Sequence, residues 1–161
     1  MGESSAPKRR GPPPLVPFGL VLRHDGTWSH EGQPFRNRKL RALFDRSVRY
    51  LPDDAKYVVQ VQRYRGEIEV EEAGFFVRAF DAATGALALS DGSEEPLAAA
   101  SLHTSERDGA LLCRVKCDLR VGGLLARFHH AAQAEFMNAV ETSETGAAVR
   151  IAGELQPLPP L

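Results

Sequence analysis

The chain has 161 residues, 43% of them hydrophobic and 25% charged, a composition that excludes wholesale disorder. A chain of this length buries roughly two thirds of its unfolded surface, so it needs neither disulfide nor metal to fold. Its formal net charge of −1 hides an asymmetry: 13 Lys and Arg stand against 6 Asp and Glu up to Arg65, and 7 against 15 beyond it. Such polarity either steers an anionic partner to the first half or is neutralised by contact between the halves, the second being the commoner case.

In chain order, residues 1–17 are read as a flexible basic, Pro-rich tail, with Lys8-Arg9-Arg10 and Pro12-Pro13-Pro14 and no apolar periodicity. No apolar segment follows the basic triplet as in a secretory leader, and none approaches the ~18 residues of a membrane span. The expected setting is cytoplasmic, without a membrane partner. Phe18 to Arg23 is an apolar strand, His24-Asp25-Gly26 a turn, and Thr27 to His30 the returning strand, with Trp28 as a core anchor.

From Asn37 to Leu51 the period changes. Leu40, Leu43, Phe44, Val48 and Leu51 recur at helical spacing, and Arg38, Arg41 and Arg49 largely occupy the other face. Lys56 to Arg65 is a strand interrupted at Gly66, and Glu67 to Glu71 alternates acid and aliphatic like a half-exposed strand. Phe75 to Phe80 and Ala86 to Leu89 pair around Thr84-Gly85; Ala98 to Thr104 and Ala110 to Lys116 pair around Asp108-Gly109. A second helix is expected over 123–141, a last strand over 148–155, and a Pro-rich end over 157–161.

Consecutive meanders without regular crossover helices predict an α+β fold, with antiparallel curved sheets packed on two main helices. Asp25-Gly26 before the first helix and Asp108-Gly109 before the second hint at a duplicated sheet-plus-helix unit. The units would span 18–92 and 93–156.

Catalytic and metal motifs are missing, so no catalytic residue, metal or cofactor is assigned. Adjacent His129 and His130 on a helix point about 100° apart and do not chelate one ion. No C-x-x-C or H-E-x-x-H supplies zinc, and no G-x-S-x-G marks a nucleophile. Cys113 and Cys117 are read as reduced thiols. Val121-Gly122-Gly123 lacks the Lys-Ser/Thr ending of a phosphate loop. The arginines around the first helix are the best electrostatic signal.

Three stretches carry a family resemblance. They are His24-Asp25-Gly26-Thr27-Trp28 with Gly32-Gln33-Pro34 and the helix from Leu40 to Phe44; Ile68-Glu69-Val70-Glu71-Glu72-Ala73-Gly74-Phe75-Phe76; and Leu124 to Phe128 with Glu135-Phe136-Met137. In pattern and order they resemble a bacterial family, domain of unknown function 1285. Where that family tends to show Thr-Pro-x-Glu, this chain has Val61-Gln62-Arg63-Tyr64. The resemblance implies repeated sheet-plus-helix units that bind a ligand in a signalling context, and it brings no catalytic residues. The expected function is a non-enzymatic module for a small anionic ligand or a peptide, with Arg63 and Arg65 or Arg38 and Arg41 as contacts. A nucleic-acid-associated protein using the basic half is the alternative, and a hydrolase comes third.

Overall fold

The computed structural model describes residues 16–161, with side chains from residue 19. The expected basic tail therefore lies almost wholly outside the described residues. Two six-stranded sheets share one topology. In the first, the meander β1 (Val16–Leu22), β2 (Trp28–His30), β3 (Gln33–Pro34) is followed by helix α1 (Arg38–Ser47). A second meander follows: β4 (Val48–Leu51), β5 (Lys56–Val61), β6 (Tyr64–Val70). The spatial order is β3-β2-β1-β6-β5-β4, and β1 lies parallel to β6.

The second sheet repeats this plan. The meander β7 (Phe75–Asp81), β8 (Ala86–Leu89), β9 (Glu94–Pro96) leads through a single 3₁₀ turn, Ala99–Ser101. Then come β10 (His103–Thr104), β11 (Leu111–Val115) and β12 (Leu124–Phe128). The order is β10-β11-β12-β7-β8-β9, with β12 parallel to β7. Helix α2 (His130–Asn138) then leads to a lone meander, β13 (Val140–Ser143), β14 (Gly146–Ile151) and β15 (Glu154–Pro157). The architecture is α+β, as expected, but both large sheets are mixed. Position 92 falls between β8 and β9 of the second sheet.

Local chemistry explains the elements. Asn37 caps α1, its side-chain oxygen accepting from the Leu40 amide at 3.1 Å. The expected helix to Leu51 stops four residues early. Val48 turns to extended backbone, Val48 and Tyr50 are buried while Arg49 is exposed, and that alternation is a strand. Arg49 donates to the Arg46 and Val48 carbonyl oxygens at 2.8 Å, covering the helix end. The break expected at Gly66 sits instead at Gln62-Arg63, where Gln62 takes φ 52°; Gly66 is inside β6, paired with Val59.

The expected helix over 123–141 divides into β12 and α2, because Leu124, Ala126 and Phe128 are buried in alternation. His129 then takes extended backbone before the helix starts. The strand over 148–155 is a hairpin turning at Ala152-Gly153, both with positive φ. The first strand of the Asp108-Gly109 hairpin is mostly the 3₁₀ turn, leaving only β10 to pair with β11.

One apolar core joins both large sheets, with Trp28, Phe75, Phe136, Leu22 and Leu87 among its fully buried members. The Trp28 ring N–H donates to Asp45 of α1 at 2.8 Å, and the other Asp45 oxygen meets Arg78 of β7 at 3.1 Å. Phe136 of α2 packs edge-on against Phe80 and Phe128.

Candidate ligand cleft between the sheets

The short link Glu71-Glu72-Ala73-Gly74 carries the chain from the first sheet to the second, and polar side chains gather on it. His24 Nδ1, from the β1–β2 turn, meets Glu71 Oε1, and its Nε2 lies 4.0 Å from Asp108 in the β10–β11 turn. Arg127 on β12 grips Asp108 with two bonds of 3.0 and 2.6 Å. Ser105 donates to Glu72 Oε2 at 2.7 Å, and Arg107 reaches Glu71 at 3.3 Å.

The Arg127 bonds hold the Asp108 carboxyl down to about 2. The His24 bond likewise holds Glu71 below the ordinary carboxylate range, against the smaller effect of burial. Each carboxylate here meets an arginine, so the cluster ties turns of the two sheets together as a clamp. Both folded-state values are depressed, so the stabilisation is fully present above the unfolded value, about 3.9 for Asp, and is lost as pH falls through the folded values. Urea unfolding between pH 5 and pH 2 is expected to show falling stability, with a shallower fall in Asp108→Asn; equal slopes would remove Asp108 from the clamp.

Beside the clamp lies a cleft of about 280 Å³. Lys56, Tyr57, Ile68 and Val70 line it from the first sheet, and Arg114, Arg120, Leu124 and Leu125 from the second, while Glu72 belongs to both clamp and cleft. Burial pushes the Tyr57 phenol up to about 12, with Tyr50 adding to it and Arg120 and Arg114 opposing, so the hydroxyl stays protonated and can donate. The Tyr57 ring lies directly on Gly74, where any Cβ would overlap it. Lys56 pairs with Glu67 at 3.3 Å. Neither Arg114 nor Arg120 has a carboxylate partner within 4.0 Å among the described residues.

Arg114 faces Leu125 across the β11–β12 ladder, and Arg127 stands two residues further along β12. The cleft therefore runs from the neutralised clamp at Glu72, over Leu125, to unbalanced positive charge at Arg114 and Arg120. Its acids are already compensated, so its net attraction is for an anion.

The structure places the four arginines singled out in the sequence elsewhere. Arg63 is exposed in the β5–β6 turn, at the opposite end of that hairpin from Lys56. Arg65 is half-buried on β6, while Arg38 is exposed and Arg41 half-buried on α1. None of the four lines the cleft. Sequence reasoning missed Arg114, although a lone cation inside the apolar run Leu111-Leu112-Cys113-Arg114-Val115 was the available signal. Tyr57, Arg120 and Glu72 gave none, because only the folding of two sheets together brings them to one place.

His129 stacks on Phe76 with ring centres 5.3 Å apart, and burial lowers its pKa. Both cysteines are free, and burial pushes the Cys113 thiol up to about 12. Among the described residues, no three His, Cys, Asp or Glu side chains are grouped to hold a metal ion, and no helix is long and apolar enough to cross a membrane.

No protein-family model and no curated protein matches the chain. Solved structures do. A DUF1285 family protein from Silicibacter pomeroyi DSS-3 superposes with a TM-score of 0.62 at 17% identity, covering 98% of this chain and 89% of its own. A DUF1285 family protein from Shewanella baltica OS155 superposes with a TM-score of 0.50 at 18% identity, covering 76% of this chain and 92% of its own. Identity this low carries architecture and nothing finer, and on that ground the chain has a DUF1285-like fold.

Proposed function

We propose that the protein is a non-enzymatic binding module whose inter-sheet cleft takes a small anion with an apolar body. The observation that carries this reading is the pair Arg114 and Arg120, without carboxylate partners among the described residues, beside Lys56 and the Tyr57 hydroxyl. Planar guanidinium groups suit carboxylate or phosphate oxygens, and Ile68, Val70, Leu124 and Leu125 offer an apolar floor. A ligand here touches both sheets at once, so occupancy alters how firmly they are held together. A regulatory or signalling role uses that coupling. The free cysteines accord with a reducing, cytoplasmic setting.

Native mass spectrometry of gently purified protein, followed by denaturation, is expected to release a discrete small anion. Titration calorimetry with that molecule, or with a panel of aromatic and aliphatic carboxylates and phosphate monoesters, should show about a hundredfold or greater loss of affinity in Arg114→Ala with Arg120→Ala. That follows from removing two charge-assisted bonds of about 1.5–3 kcal/mol each. Undiminished affinity in the double variant would sink the assignment.

A further inference from the structure

Helix α1 presents a second cationic surface, remote in sequence from the cleft residues of the second sheet. Between Glu31 and Asp45 the chain carries Arg36, Arg38, Lys39 and Arg41 and no acid. Arg36, Arg38 and Lys39 are exposed and Arg41 is half-buried. Among the described residues, none of the four has a carboxylate within 4.0 Å. The nearby Asp45 is engaged by Trp28 and Arg78, and Glu31 lies 4.0 Å from His30. The N-terminal end of α1 adds its own partial positive charge, and its first turn holds no acid to offset it.

In the same stretch of chain, Phe35 and Phe44 line an aromatic hollow of about 280 Å³ together with Leu20 and His30. The His30 and Phe35 rings lie stacked at 21° with centres 6.2 Å apart, and Phe35 meets Phe44 at 5.6 Å. Arg41 precedes Phe44 by one helical turn, Arg38 precedes Arg41 by another, and Arg36 directly follows Phe35. Arg41 and Phe44 are thus neighbours on α1, and the other cations lie close in the chain to the rings that wall the hollow.

From this juxtaposition we infer that the α1 face binds single-stranded nucleic acid, one base entering the His30–Phe35–Phe44 hollow and its flanking phosphates lying along Arg36, Arg38 and Arg41. Basic side chains interleaved with aromatic platforms are the physical requirement for a flexible, unpaired strand. A duplex keeps its bases stacked inside and offers nothing to the hollow. An acidic protein surface would satisfy the cations and leave the rings unused.

The test is fluorescence anisotropy of the full chain with labelled oligo-uridine and oligo-thymidine of about 12 nucleotides, within the range of single-strand sites. Binding is expected to weaken about 20- to 50-fold between about 50 and 200 mM salt, if three or four phosphates are neutralised. Arg38→Gln with Arg41→Gln should lower both the affinity and that salt dependence. Phe35→Leu, which keeps an apolar side chain but removes the ring face, should weaken binding about fivefold or more. If Phe35→Leu melts early, His30→Ala serves the same purpose from the rim. The inference is overturned by any of four results: no binding at low salt, equal binding in the arginine and aromatic variants, duplex bound as tightly as single strand, or polyglutamate competing as well as oligonucleotide.

Discussion

Gly123→Ala is expected to lower unfolding stability by about 2–4 kcal/mol, through a left-handed backbone and a close approach together. Gly123 sits at φ 77°, and a Cβ there would stand 2.9 Å from the Val115 carbonyl oxygen and 3.1 Å from Arg114 Cβ. Both neighbours are fixed by the β11–β12 ladder, so neither gives way cheaply. The residue closes the loop that carries Arg120 to the cleft, next to an Arg114 it would displace. Chemical denaturation should show the loss, and ligand affinity should fall with it. Gly122→Ala is the control, because its φ is also positive but nothing lies within 4 Å of its Cβ. It is expected to cost only the backbone share, about 1–2 kcal/mol. Equal losses in the two would mean that close packing at Gly123 contributes nothing.

How far the sequence revealed this fold depends on which period each segment could hide. Helix α1 was legible because Leu40, Leu43 and Phe44 are spaced for one helix face, and Asn37 caps it. Its C-terminal end was not: Val48 and Leu51 continue the helical spacing, although Val48 and Tyr50 also alternate as a strand. Strand β12 was lost for the same reason. Leu124 and Phe128 are four apart, which satisfies both a helix face and every second strand position, and Phe128, Ala132 and Phe136 continue the series into a real helix. The parallel pairs β1/β6 and β7/β12 join strands far apart in sequence, and no local pattern encodes them.

The candidate cleft was less legible than the fold for a related reason. Its walls come from β5, β6, β11 and β12 and the loop before β12, so its charge is assembled only when two topologically equivalent sheets meet. Counting charges along the chain highlighted clustered arginines instead. In the structure these belong to α1 and to the β5–β6 hairpin. The expected neutralisation between halves exists locally: Arg23 meets Glu71 at 3.8 Å and Lys56 meets Glu67 at 3.3 Å.

The loop over the cleft has a second anchor, and breaking it should cost as much as Gly123→Ala. Lys116 Nζ meets Asp91 at 2.7 Å, with side chains only 15% and 9% exposed, and it also lies 4.9 Å from the centre of the Phe75 ring. Removing one partner of a buried pair leaves the other charge uncompensated, so Lys116→Met is expected to cost about 3 kcal/mol or more. Replacing both partners, Lys116→Met with Asp91→Leu, should recover part of that loss, because the desolvation of two charges is relieved together. Burial works to raise the Asp91 pKa, but bonds from Lys116 and Ser93 outweigh it and leave it below the ordinary value. Its stabilisation is therefore present above the unfolded carboxylate value and is lost as pH falls through the depressed one. In Lys116→Met the main support for the charged form is gone, so stability should recover as acid protonates Asp91. Denaturation at pH 7 and pH 4 decides between two origins of the loss: a deficit that shrinks at pH 4 identifies the stranded charge, whereas a constant deficit assigns the loss to packing against Phe75.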